Sequence, residues 1–275
     1  MTDQIEPDWA LLADIGGTHA RFAYLKPDDL TPQPIGTYTA EACPQFEMVM
    51  EQLCTSIEEL DLPLGRLERI CLAVAANPFA DEIALTNNGW RFRRSELAKM
   101  LGCDNMLVVN DFEAVARSVP LLKSDDTVQI GGGEAQSSGV MVAIGPGTGT
   151  GVASLIVDGA GEPLVVPGEG GHVDFAPVGD TEIAVLQHLR GQFDRVSIER
   201  LLSGDGILNL YRTLCDINGC GMAMRTPEAV GEAAQADTDP MAGEAMALFF
   251  AVLGSVAGDL ALTLGARGGV YIAGG

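Results

Sequence analysis

The sequence predicts an α/β protein in which one structural unit is used twice. Two glycine–threonine loops carry that prediction, Asp14-Ile-Gly-Gly-Thr18 and Gly145-Pro-Gly-Thr-Gly-Thr-Gly151. Each lies between apolar runs of strand length: Trp9–Ala13 and Arg21–Leu25 for the first, Val140–Ile144 and Val152–Val157 for the second. After each hairpin the patterns follow in the same order, strand then helix, the second time with more helices.

Taken in order, Ala10–Gly16 reads as a buried strand, Ala20–Leu25 as its partner and Ile35–Thr39 as a third strand. Gln45–Leu60 is helical, with Phe46, Val49, Met50, Leu53 and Ile57 on one face. Arg69–Ala75 is a strand, and Ile83–Thr86 is a short one running into Asn87-Asn88-Gly89-Trp90. Arg94–Leu101 is a helix stopped by Gly102. Met106–Val109 is a strand that delivers Asn110 and Asp111 to the start of a helix over Phe112–Leu122, broken late by Pro120. The second series is the Val140–Val157 hairpin, a strand at Leu164–Val166, and the turn Pro167-Gly-Glu-Gly-Gly-His172. Helices follow at Thr181–Gln192, Ser197–Leu202, Gly206–Cys215, Thr226–Ala236 and Met241–Ala266, then a strand at Val270–Ala273. This places a small domain over residues 1–120 and a large one over 121–275.

Bulk properties exclude several classes. The 275 residues carry a formal charge of −22 with only three lysines, Lys26, Lys99 and Lys123. A nucleic-acid or anionic-membrane partner needs a basic footprint that is lacking. The acidity itself reads as a solubilising surface. The longest apolar stretch, Ala245–Leu264, is interrupted by Gly254, Gly258 and Asp259, and is expected to be a buried core helix rather than a membrane span. The start of the chain is acidic and polar, unlike a targeting signal. The six cysteines form no CxxC pair, Cys54 and Cys71 read as core residues, and no His completes a zinc site at Cys215 and Cys220. A reducing cytoplasm is the expected compartment.

The loops point to phosphate handling. A strand–turn–strand hairpin of Gly and Thr presents backbone N–H groups and hydroxyls, and glycine permits close approach because it has no Cβ. Two such hairpins suggest two jaws on one polyphosphate. The Walker sequence, GxGxxG after a strand and the protein-kinase signature set are all missing, as are GxSxG and HExxH. Asp14 suits a metal held through water, or a bond to its own turn. Asp111, between a strand end and a helix, suits a general base or a helix N-cap.

Seven segments then occur in order: Asp14–Arg21, Thr86–Trp90, Asn110–Phe112, Gly145–Gly151, Pro167–Asp174, Leu202–Gly206 and Gly268–Gly275. Together, and over nearly the whole chain, they resemble the bacterial glucokinase family of the actin/hexokinase/Hsp70-like superfamily. The resemblance implies two duplicated ribonuclease-H-like (actin-like ATPase) domains with a cleft between them. It implies ATP-dependent phosphorylation of glucose at O6 to glucose 6-phosphate, the first step of glycolysis, with Mg²⁺. Asp111 matches the catalytic base, and Asn110, Asp111, Glu169, His172 and Glu199 match the sugar ligands. Gly16, Gly17 and Thr18 match one phosphate region, and Gly147, Thr148 and Gly149 the other. Asp14 matches the Mg²⁺ position, and Gly274 the turn that packs on adenosine.

The alternatives are a kinase for another hexose, or a non-catalytic sugar-binding regulator. Repressor/kinase relatives carry a Cys/His zinc motif beside the sugar-binding His, and His172 has none. Departures from the family pattern are His19 in place of a common Asn, the Ala76-Asn77-Pro78 segment, and an end at Gly275 that implies an incomplete large domain. Family members are often homodimers.

Overall fold

A computed structural model describes residues 9–27, 29, 31–85 and 88–274. Residues 1–8, Thr86 and Asn87 of the Thr86–Trp90 segment, and Gly275 lie outside the described residues. The chain forms two compact units, one ending at Ala114 and one starting at Val115.

In the first unit, β1 (Trp9–Ile15), β2 (His19–Leu25) and β3 (Gln33–Thr39) form an antiparallel meander. Beside β1, β4 (Leu67–Val74) runs parallel to it, and β7 (Met106–Asn110) runs parallel to β4. The order is β3-β2-β1-β4-β7. Residues on a strand alternate between faces, and β1 buries Trp9, Leu11, Ala13 and Ile15. Onto that face α1 (Phe46–Glu59) lays Phe46, Val49, Met50, Leu53 and Ile57. Those residues fall on one helical stripe, and each fully buried aliphatic among them contributes about 1.5–3 kcal/mol.

A two-stranded sheet of β5 (Glu82–Ala84) and β6 (Arg91–Arg93) flanks the Asn88-Gly89-Trp90 turn. Arg-Phe-Arg is too short to show a strand period, so β6 has no sequence signal. Tertiary packing holds it: the Phe92 ring stacks on Phe46 at 4.3 Å. Trp90 is buried, and its indole N–H donates to the Cys43 carbonyl at 2.6 Å. α2 (Arg94–Leu101) ends on Gly102 at φ 67°, as the sequence predicts. α3 (Asp111–Ser118) is shorter than expected, because Pro120 leaves only a 3₁₀ turn over Val119–Leu121.

In the second unit, β8 (Met141–Pro146), β9 (Thr150–Val157) and β10 (Pro163–Gly168) form another antiparallel meander, and β11 (Gly269–Ile272) runs parallel to β8. The order β10-β9-β8-β11 matches β3-β2-β1-β4 strand for strand in direction. Between β10 and β11 come α4 (Asp180–Leu189), α5 (Gly204–Asn218), α6 (Pro227–Gln235) and α7 (Pro240–Leu264). Ser203, Thr226 and Asp239 cap the last three with their side chains, and α6 and α7 start on proline. The expected helix over Ser197–Leu202 is a single 3₁₀ turn, Ile198–Arg200.

α7 buries Ala242, Ala245, Phe249, Val252, Leu253 and Val256 in the core of this unit. It is also long and apolar enough, by length and composition, to cross a membrane. It is a core helix on one face only, since Phe250 and Leu262 are exposed. Cys54 and Cys71, expected in the core, are half-buried; Cys43, Cys103 and Cys215 are the buried thiols.

Candidate active site

In the first unit the carboxyl ends of β1 and β7 bring Asp14 and Asp111 to the same edge of the sheet, with β4 between them. Ligand crevices of open α/β sheets form at such edges. Asp14 does not bond its own turn. It sits opposite Arg21 in the β1–β2 register, and Arg21 Nη1 donates to its Oδ2 at 2.8 Å. The turn between them closes by Gly16 N–H to the His19 carbonyl at 2.9 Å. The Asn88 amide donates to the Gly17 carbonyl at 3.1 Å, and the Thr18 hydroxyl and His19 Nδ1 share a hydrogen bond of 2.9 Å. A Cβ on Gly16 would meet nothing closer than 3.7 Å. Packing does not demand glycine there.

Asn110 and Asp111 divide two tasks. Asn110 Oδ1 accepts from the N–H groups of Phe112 (2.9 Å) and Glu113 (3.4 Å), so it is Asn110 that caps α3. Asp111 is the first helical residue, half-buried, and its Oδ1 also accepts from Phe112 N–H at 2.9 Å. Burial pushes its carboxyl above the usual range, and the Asp14 carboxylate adds to the rise. Hydrogen bonds from the Phe112 and Asp111 backbone and the Asn110 side chain oppose it. A carboxylate kept more basic than usual is a better proton acceptor.

In the second unit the loop Gly147-Thr148-Gly149 joins β8 to β9. Gly147 N–H closes on the Gly149 carbonyl at 2.7 Å, and Gly204 N–H at the start of α5 donates to the Gly147 carbonyl at 2.9 Å. A cavity of about 540 Å³ opens beside the loop, lined by Gly147, Thr148, Ser203, Asp205, Glu228 and Phe249 among others. The N-terminus of a helix docked on a Gly-Thr loop supplies N–H groups suited to phosphate. Gly274 has φ 108°, and a Cβ there would overlap the Pro146 carbonyl, so glycine is required where β11 leaves the sheet.

Glu169, His172 and Glu199 come together in this unit. His172 Nε2 is 3.9 Å from Glu169 Oε2, and its Nδ1 is 3.9 Å from Glu199 Oε1. The Glu-Gly-Gly-His turn lies against β9 so closely that a Cβ on Gly171 would overlap the Thr150 carbonyl. Glu199 lies in the 3₁₀ turn Ile198–Arg200. Its Oε2 accepts the Thr150 N–H at 2.9 Å, at the exit of the Gly-Thr loop.

Arg21, Asn88 and Thr150 had no assigned role in the sequence. Only Arg21 left a signal: a tight hairpin after Asp14 places it directly opposite. Among the described residues no group of three or more His, Cys, Asp or Glu could hold a metal.

The Glucokinase family model matches residues 11–275. A glucokinase of Hahella chejuensis is 41% identical over 270 residues, covering 97% of this chain and 81% of that protein. The crystal structure of a glucokinase from an Antarctic psychrotroph superposes with a TM-score of 0.80 at 33% identity, covering 98% of this chain and 83% of the other. A Balamuthia mandrillaris glucokinase solved with glucose shares the fold, with a TM-score of 0.78 at 23% identity and coverage of 99% and 81%.

Proposed function

This chain belongs to the glucokinase family and phosphorylates glucose with ATP, and we propose that Asp111 takes the proton from the sugar O6 hydroxyl as that oxygen attacks the γ-phosphorus. The O6–P bond forms, the bond from γ-phosphorus to the bridging oxygen breaks, and ADP leaves with glucose 6-phosphate as the other product. One observation carries the assignment. Asn110 does the capping, which leaves Asp111 as a half-buried carboxylate raised by burial and by Asp14. Asn110 accepts from two N–H groups at the start of α3 and Asp111 from one of the same two, which weakens the cap reading of Asp111 in favour of the base.

The remaining roles are those the family resemblance implies. Glu169, His172 and Glu199 accept and donate to adjacent sugar hydroxyls, and Asn110 orients Asp111. Gly16, Gly17 and Thr18 serve one phosphate region; Gly147, Thr148 and Gly149 serve the other, with Gly274 beside the adenosine. The matching strand order of the two sheets supports the duplicated ribonuclease-H-like reading. Closure around the sugar would exclude water, which is itself a phosphoryl acceptor.

Asp14, at the carboxyl end of β1 and paired with Arg21, is the residue that would hold Mg²⁺, an ion that keeps most of its ligands as water and substrate phosphate. When bound, the ion would neutralise charge on the transferring phosphates. Six unpaired thiols suit the cytoplasm.

Product analysis tests the proposal: phosphorus NMR of the product is expected to show a phosphate on O6 alone, and 6-deoxyglucose is expected to release no ADP above the sugar-free background. Phosphate on any other oxygen overturns the assignment of position.

A further inference from the structure

We propose that Glu199 is also a positioning residue for the nucleotide, one side chain that sets the second phosphate loop while it faces the sugar site. This rests on the reading above for what the two sites bind. Its two oxygens point to different neighbours. Oε1 lies 3.9 Å from His172 Nδ1, on the sugar-facing side. Oε2 accepts the Thr150 backbone N–H at 2.9 Å, and a Cβ on Gly149 would overlap this oxygen. The carboxylate is therefore packed directly on the loop backbone, with no intervening side chain.

Everything around that contact is fixed. Thr150 is buried, and its hydroxyl donates to the Leu202 carbonyl. The Ser203 hydroxyl donates to the carbonyl of Glu199 itself at 2.8 Å, while its oxygen caps α5 through Gly206 N–H at 3.0 Å. Gly204 N–H then returns to the Gly147 carbonyl at 2.9 Å. The chain from Glu199 to Gly204 thus grips the loop at both ends, Gly147 and Thr150. A hydrogen bond to a carboxylate is shorter and stronger than a neutral one, and it constrains the peptide that donates it. Any shift of the Glu199 carboxylate when sugar binds must be felt at the Gly149–Thr150 peptide. Thr148 and Gly149, which the reading above places at phosphate, belong to the same turn as Gly147 and Thr150. The two substrates are then coupled through one side chain, and such coupling is reciprocal in binding free energy.

The test measures binding of the non-hydrolysable analogue AMPPNP without any sugar, where a residue that only contacts sugar has no effect. Glu199→Ala is expected to weaken AMPPNP about ten-fold. Glu199→Gln keeps an oxygen for the Thr150 N–H and is expected to retain AMPPNP affinity within about two-fold while glucose KM rises. Gly149→Ala keeps every hydrogen-bonding group and serves should Glu199→Ala fold poorly. Its Cβ displaces the carboxylate, so it is expected to weaken AMPPNP and raise glucose KM together, and to add little to Glu199→Ala in the double variant. Unchanged sugar-free AMPPNP affinity in Glu199→Ala overturns the proposal, as does Gly149→Ala that moves only one of the two substrates. These results stand apart from the identity of the reaction. A parent chain that binds AMPPNP but transfers no phosphate to glucose would sink the kinase reading and leave the Glu199 outcome to be read as stated.

Discussion

The two Gly-Thr hairpins have the same strand directions, yet they are held by different forces. The first is fastened by exposed charge: Asp14 and Arg21 pair at 2.8 Å with side chains 49% and 60% exposed. Its glycine at position 16 has room around it. The second is fastened by close packing and buried hydrogen bonds. Thr150 is 7% exposed, its N–H and hydroxyl both go to the 199–202 segment, and Gly149 and Gly171 have no room for a Cβ. An exposed ion pair can be exchanged for a metal or a phosphate at small cost, whereas a packed loop cannot move without its neighbours. The first hairpin therefore suits the part of a phosphoryl-transfer site where charge arrives and leaves, and the second suits the part that must hold its shape.

The largest expected effect separates chemistry from binding. Asp111→Ala should lower kcat by about 10²–10⁴-fold, the usual worth of a general base. AMPPNP affinity should be unchanged, because none of the second loop's contacts run through Asp111. Near-normal turnover would remove Asp111 as the base. Asp111→Asn adds a stability test with a definite sign. The folded carboxyl titrates above its unfolded value, so the ionised form is disfavoured in the native state. Its favourable contribution is present at low pH and is lost as pH rises through the raised value. At neutral pH Asp111→Asn should accordingly unfold at higher urea than the parent, and the gap should close as pH falls to the unfolded carboxylate range. A variant less stable than the parent at pH 7 would contradict the burial argument.

What was legible in the sequence divides along the same line. Strand periods and glycine punctuation are local, so the two meanders, α1 and the stop at Gly102 could be read before the structure. Asp14 and Arg21 are seven residues apart and face each other in any tight hairpin, so that pair was available too. The contacts that set the loops were not. Asn88 meets Gly17 across 71 positions, and Glu199 meets Thr150 across 49, and no local spacing encodes either. Asn110 and Asp111 are adjacent and both are good caps. Only the N–H directions at the start of α3 show that Asn110 accepts from both Phe112 and Glu113 while Asp111 accepts from Phe112 alone. β6 shows the same limit in the fold, since three residues held by the Phe46 ring carry no period of their own.

A smaller effect tests the packed hairpin. Gly171→Ala puts a methyl group against the Thr150 carbonyl, which is strand backbone and cannot rotate away. Overpacking of this kind costs about 1–3 kcal/mol. The urea midpoint should fall with little change in m, and the loss should be the same at low and high salt, because no charge is involved. AMPPNP affinity should fall with it, since Thr150 closes the phosphate loop. Full stability in this variant would show that the second hairpin is looser than its contacts imply.

The smallest effect belongs to Arg21→Ala. The pair it removes is solvent-exposed on both sides, so its worth is about 0–1 kcal/mol in dilute buffer. Salt decides whether the pair acts through charge. At about 1 M ionic strength the Debye length is near 3 Å, shorter than most charge separations at the surface. The stability gap between Arg21→Ala and the parent should then narrow, while the Gly171→Ala gap persists. Freed of its partner, Asp14 should also hold Mg²⁺ at least as well as before, readable as an unchanged or lower Mg²⁺ requirement in turnover. A salt-independent loss above about 2 kcal/mol would mean that Arg21 packs rather than pairs, and the contrast between a charged hairpin and a packed one would fall.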